Sequence, residues 1–191
     1  MTRIFFAGVA SIALLTACNE QGASPAVDAA QDAASAPVGQ TSAATMGGNL
    51  VSAYVPNAAM GDMYEIQASD IALERSTNDQ VKELATMIKA DHTAASTKFK
   101  ATAPAAAPDV TMPTSLDERR QGLIDNLRSA SASDFNRVYL DQQIAAHQEA
   151  ITLHRGFADN TDAPALAAHA REVLPKIEAH LRQAEELKAA M

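Results

Sequence analysis

The sequence has a single cysteine and few positive charges, with 15 lysine and arginine residues against 23 aspartate and glutamate residues. One cysteine excludes an intramolecular disulfide, so the fold must depend on its apolar core. The formal net charge of −8 argues against binding nucleic acid or an anionic membrane through a basic face. The apolar stretch at residues 4–15 is shorter than the about 20 residues that a membrane-spanning helix needs.

Motifs of several large enzyme classes are also absent. The chain contains no Gly-x-Ser-x-Gly motif, no phosphate-binding loop and no Gly-x-Gly-x-x-Gly motif. No window shows the strict polar and apolar alternation of a half-buried strand, and apolar residues recur instead at helical spacing. The sequence therefore predicts an all-α fold, assigns no reaction and leans against an enzyme.

Residues 1–17 have the three parts of a secretory signal peptide. Arg3 supplies the positive start, and a short apolar stretch ends in Leu15-Thr16-Ala17-Cys18. These four residues resemble the lipobox of bacterial lipoproteins, which implies that cleavage makes Cys18 the lipidated N-terminus. Since two acyl chains already hold a protein firmly in a membrane, we expect a lipid anchor at the periplasmic face of the cell envelope.

Residues 18–49 are rich in Ala, Ser, Gly, Gln and Pro and contain no aromatic residue. Because such a segment cannot bury enough apolar surface to order itself, it predicts a flexible tether. Asn19 replaces the Asp that typically keeps lipoproteins at the inner membrane, so the outer membrane is the expected location. The folded domain is then residues 50–191, a usual length for one core.

Apolar residues at spacings of three and four predict four long helices and one short helix. The Ala- and Pro-rich residues 104–113 break this pattern between the second and third long helices. Two hairpins joined by such a longer connection, which carries the short helix, favour an antiparallel four-helix bundle. The predicted helices cover residues 54–76 and 115–128 and start at Asn78, Ser133 and Asp162.

Several separated stretches resemble one family in the same order along the chain. They are Met63-Tyr64-Glu65-Ile66, Asp91-His92-Thr93, residues 135–139, His147-Gln148-Glu149 and residues 174–181. Together they resemble the bacterial ferritin-like family called domain of unknown function 4142, over about residues 54–187. The resemblance implies an exported helical bundle, often lipidated or found at the outer membrane, and supplies no activity.

Three histidines lie on the predicted apolar faces of different long helices, namely His92, His147 and His180. Imidazole is the commonest nitrogen ligand of transition metals, so these residues are candidate ligands for one zinc, iron or copper ion. A carboxylate from Glu65 or Asp91 would complete the site.

Two neighbouring residues, Tyr139 and Asp141, are expected to orient the histidine rings by hydrogen bonds. A di-iron centre is disfavoured because the Glu-x-x-His pairs of ferritin-like bundles are missing: Lys89, Ile144 and Ile177 stand three residues before the histidines. The alternative to a metal site is that the histidines are buried polar groups, bonded to one another or to the backbone.

His154 and His169 lie nearer the loop of the second hairpin, where they are expected to be partly exposed and not ligands. With no reaction assigned, the sequence favours an envelope-tethered interaction or structural module with a protein partner. The alternative is a metal-binding or metal-buffering domain that uses the histidine cluster.

Substitution of the lipidated cysteine tests the membrane anchor. We expect Cys18→Ser to release the exported protein into the soluble fraction, because the acyl chains are its only hydrophobic anchor. Membrane fractionation measures this, with export checked by loss of the signal peptide. An exported variant that still pelleted with membranes would overturn the lipoprotein prediction.

Overall fold

The computed structural model describes residues 25–45 and 49–191, which form six helices and contain no strand. The all-α prediction is therefore confirmed. None of these helices is long and apolar enough to cross a membrane. The predicted signal peptide and Cys18 lie outside the described residues. The helices are α1 (Pro25–Thr45), α2 (Val51–Arg75), α3 (Asp79–Ala106), α4 (Glu118–Ser129), α5 (Phe135–Phe157) and α6 (Pro164–Ala189).

Side-chain caps start two of the helices. Asn78 Oδ1 accepts hydrogen bonds from the backbone N–H groups of Gln80 and Val81, at 2.9 and 3.2 Å, as expected for an N-cap. Asp117 caps α4 in the same way, through the N–H of Arg120 at 2.7 Å. The short connection at residues 76–78 makes α2 and α3 a hairpin.

Several helix ends differ from the prediction, and α5 begins at Phe135, after Asp134, rather than at Ser133. Helix α3 continues through Pro104 to Ala106, beyond the start of the expected break. Helix α6 begins at Pro164 without a side-chain cap, so Asp162 is not its N-cap. The start of α6 is held instead by Asn160, whose Oδ1 accepts a hydrogen bond from the backbone N–H of Ala163 at 2.8 Å.

Helix α1 occupies most of the segment that the composition predicts to be a flexible tether, and it packs against α5 and α4. It docks through polar contacts, because Asp32 accepts hydrogen bonds from Asn126 at 2.8 Å and from Gln142 at 2.7 Å. It also docks through close approach: a Cβ at Gly39 would lie 1.9 Å from Glu149 Oε2. Contacts of this kind do not require a periodic apolar face. The sequence pattern therefore gives no signal for α1, and the predicted flexible tether differs from the helix in the structure.

The four long helices contact one another in a closed ring, in the order α2, α3, α6 and α5. Their interior holds two apolar clusters. One contains Leu84, Ile88 and Leu140, and the other contains Phe99 and Phe157. On each helix a buried acidic residue or histidine lies between the residues of the two clusters, so a polar layer divides the core. Its members are Asp62 on α2, His92 on α3, His147 on α5 and His180 on α6.

Truncation of the core tests these helix faces. Ile88, Leu140 and Ile177 are buried, and Ile144 is partly buried. We expect Leu140→Ala to lower the free energy of unfolding by about 2 to 5 kcal/mol, through lost burial and the cavity left behind. Lys100→Ala and Glu186→Ala, at exposed positions, should change it little. Denaturant unfolding of the three variants checks this, and the opposite order would show that the faces are misassigned.

Candidate metal centre

Three of the predicted site residues meet inside the polar layer. His92, His147 and His180 are buried, and one ligand atom from each lies within 4.8 Å of the others. Their ring centroids are 5.3 to 5.8 Å apart. Helices α3, α5 and α6 each supply one histidine, as their positions on the apolar faces predict.

Each ring has a hydrogen-bond acceptor on one nitrogen. His92 Nδ1 lies 2.8 Å from Asp62 Oδ1, and His180 Nε2 lies 3.1 Å from Asp91 Oδ2. His147 Nδ1 lies 2.9 Å from the backbone oxygen of Gln143. Because these partners accept, a neutral imidazole must carry its proton on the nitrogen that faces them.

This arrangement leaves the other nitrogen of each neutral ring as a lone pair inside the cluster. His147 Nε2 and His180 Nδ1 face each other at 3.3 Å, and with both protons held elsewhere neither can donate to the other. His92 Nε2 is buried and has no hydrogen-bond partner among the described residues. Two nitrogens bonded at about 2.0–2.1 Å to one tetrahedral ion would lie about 3.3–3.4 Å apart, which matches the His147 to His180 distance.

Glu65 adds a carboxylate to the cluster. It is buried, and its Oε1 lies 3.6 Å from His147 Nδ1. Its Oε2 has no hydrogen-bond partner within the described part of the chain. Burial raises the pKa of Glu65 to about 7, and the charge of His92 opposes the rise. Glu65 therefore lies beside the cluster, and its oxygens are not among the ligand atoms that converge within 4.8 Å.

Asp91 connects the cluster to the surface. Its side chain is 28% exposed and contacts Lys176 Nζ at 2.5 Å as well as His180. Burial raises its pKa, but the hydrogen bonds from Lys176 and His180 outweigh this and hold the pKa below its usual value. Asp91 therefore stays ionised and orients His180 by accepting its hydrogen bond. It does not lie among the inward-facing nitrogens that are the candidate ligands.

The histidine pKa values differ within the cluster. Burial lowers the pKa of His147 and His180, and the charge of His92 lowers both further. For His92, burial also lowers the pKa, but Asp62, Glu65 and Asp91 outweigh it, so the net pKa is raised. Neutral imidazole is the form that binds metal, so protonation of His92 would compete with metal binding.

The structure places the two expected orienting residues differently. Tyr139 is buried in the apolar cluster of Leu140, and the described residues give it no hydrogen bond to a histidine. Asp141 is not at the site, because it pairs with Arg137 and Lys188 and contacts none of the histidines. It stands six positions before His147, a spacing that puts the two on different faces of a helix.

Asp62 is the site residue that the sequence prediction missed. It stands one helical turn before Glu65, so the two carboxylates share a face of α2. That Asp-x-x-Glu spacing was the available signal. Asp62 takes the role expected of Tyr139 and Asp141, since it orients a candidate ligand.

The prediction of partial exposure for His154 and His169 is wrong, because both are buried. His154 Nδ1 lies 3.0 Å from the hydroxyl of Tyr54, and the ring of His169 packs 5.1 Å from that of Phe99. These aromatic side chains cover the loop end of the hairpin. Burial lowers the pKa of His154 to about 3, with a contribution from His169, so it stays neutral.

Comparison with known proteins gives one match. The family model described as domain of unknown function (DUF4142) matches residues 33–187, which include part of α1 and the other five helices through most of α6. Neither the curated proteins nor the solved structures give a match. The matched region contains all three clustered histidines and the three carboxylates beside them, Asp62, Glu65 and Asp91. The chain therefore belongs to the DUF4142 family, as its sequence stretches predict.

Proposed function

We propose that this protein binds one transition-metal ion through His92, His147 and His180. The observation that carries the proposal is the 3.3 Å contact between His147 Nε2 and His180 Nδ1, two nitrogens whose rings hold their protons elsewhere. Two facing lone pairs repel each other, and an ion between them removes that repulsion. Buried polar atoms are rarely left without a partner, so the free Nε2 of His92 supports the same conclusion.

The donor set favours zinc, iron(II) or copper. Three imidazoles suit each of these ions, and the free Oε2 of Glu65 supplies a carboxylate oxygen nearby. A di-iron centre does not fit, because it needs Glu-x-x-His pairs that this chain lacks. The role that this donor set supports is the binding or buffering of a metal ion.

The setting of this site is also part of the proposal. The closed ring of α2, α3, α6 and α5 supports an antiparallel four-helix bundle of the ferritin-like kind. The lipobox-like Leu15-Thr16-Ala17-Cys18 supports a lipid-anchored protein at the periplasmic face of the envelope, with the outer membrane favoured. The interaction or structural module that composition favours stays a prediction.

Metal analysis tests the proposal directly. Protein purified without chelators and then exposed to zinc, iron(II) or copper should retain about one equivalent of one of these ions. Chelation should lower the melting temperature, because an ion that binds only the folded state stabilises it. His180→Ala should lose the ion, while His169→Gln, a change at a buried histidine outside the cluster, should keep it. No retained ion and no melting shift with any of the three metals would refute the proposal.

Asp62 offers a second test, since it acts on the metal through His92. Asp62→Asn should weaken metal binding by about 10- to 100-fold without abolishing it, because the amide orients His92 but makes it a poorer ligand. Competition with a chelator of known affinity measures the change. Asp141→Asn is the matched control and should leave metal binding unchanged, because Asp141 pairs with Arg137 and Lys188 and contacts no histidine. Equal effects of the two substitutions would contradict the role given to Asp62.

A further inference from the structure

A cavity of about 240 Å³ lies between α1, α2, α4 and α5 and extends to the candidate metal centre. This is far more than the about 30 Å³ that one water occupies in the liquid. Most of the surface that lines it is apolar, which favours an apolar occupant over bound water. Contributing small or apolar residues include Ala36, Ala58, Ala146, Ala150 and Leu153.

The inner end of the cavity is polar and incompletely hydrogen bonded. Glu65 and His92 line it, and these residues carry two of the buried atoms without partners, Glu65 Oε2 and His92 Nε2. Buried groups of this kind normally have a partner. The cavity therefore ends at two residues whose hydrogen-bonding capacity is not fully used.

Gly61 forms part of the wall beside Asp62. A Cβ built there meets no atom within 4 Å, so the space next to this glycine is open. Glycine within a helix costs about 0.5–1 kcal/mol relative to alanine, and no packing contact requires it here. The helix thus leaves room at the point where the cavity approaches the metal ligands.

The charges around the cavity disfavour an anion. At the outer end Arg119 and Arg120 both contact Glu149 at 2.8 Å, and Arg120 also contacts Asp117, so their charges are compensated. At the inner end Asp62 and Glu65 present carboxyl groups, in a chain of net charge −8. With a divalent ion bound, these two carboxyl groups compensate its charge, so a negatively charged ligand would find no free cation.

We propose that this cavity binds a neutral small molecule with an apolar body and one lone-pair donor atom, which coordinates the metal held by the three histidines. The inference rests on the proposed metal site. Zinc sites with three protein ligands keep a fourth position open, so the donor atom can complete the coordination begun by the three histidines. The apolar body lies along the alanine-rich walls, where its burial is favourable.

Cobalt(II) in place of the native ion makes this testable, because its visible spectrum reports its ligands. The full chain is loaded with cobalt(II) and titrated with phenylimidazole, imidazole and benzoate. We expect phenylimidazole to change the spectrum and to bind about tenfold or more tightly than imidazole, because its ring enters the apolar cavity. Benzoate should bind weakest.

Variants that fill the cavity locate the binding. Gly61→Phe, and Ala36→Phe from the opposite wall, should each weaken phenylimidazole binding about tenfold or more. The cobalt spectrum and thermal melts show whether each variant is still folded and loaded. Gly122→Phe is the matched control, because a Cβ at Gly122 also meets open space but this residue does not line the cavity.

The outcomes separate the two proposals. Failure of the parent protein to bind cobalt would overturn the metal site. If the spectrum of the cobalt-bound protein did not change on addition of phenylimidazole, only the cavity inference would be overturned. Equal affinities for phenylimidazole and imidazole would have the same consequence. Stronger binding of benzoate would show that the cavity takes anions, and unchanged binding in both loaded, folded cavity variants would place the ligand elsewhere.

Discussion

The structure depends on hydrogen bonds between three buried histidines and their acceptors, Asp62, Asp91 and the backbone oxygen of Gln143. Burying a polar group without a partner costs free energy, so four helices must align these groups at one level. That requirement sets the register of the helices more narrowly than apolar packing does. The two apolar clusters on either side tolerate exchange of similar side chains, whereas the polar layer needs particular atoms in particular places.

The same polar layer extends from the interior of the bundle to its surface. Asp91 is partly exposed and bonded to both Lys176 and His180, while Asp62 and Glu65 face the cavity beneath α1. The candidate ligands are thus approached from two sides, one leading to a solvated ion pair and the other to an apolar cavity. Under the function proposed here, that asymmetry gives an ion and an apolar molecule different routes to the same point.

Much of the architecture could be predicted from the sequence because it depends on local patterns. Asn78 caps α3, and the spacing of apolar residues brings the three histidines to one interior. Features that depend on tertiary contacts could not be predicted in this way. Helix α1 docks through Asp32, Gly39 and the buried Ala43, without a periodic apolar face. His154 is buried by Tyr54, which is distant in sequence.

Placement of the histidines on three helices has a consequence for a chain that lacks disulfides. His147 and His180 are 33 residues apart in sequence, and His92 lies on a different hairpin. An ion bound to all three would be a cross-link that closes long loops, and closing long loops restricts the unfolded chain most. Such a cross-link forms without oxidation and is released by a chelator. It would join two apolar clusters that otherwise meet only across a polar layer.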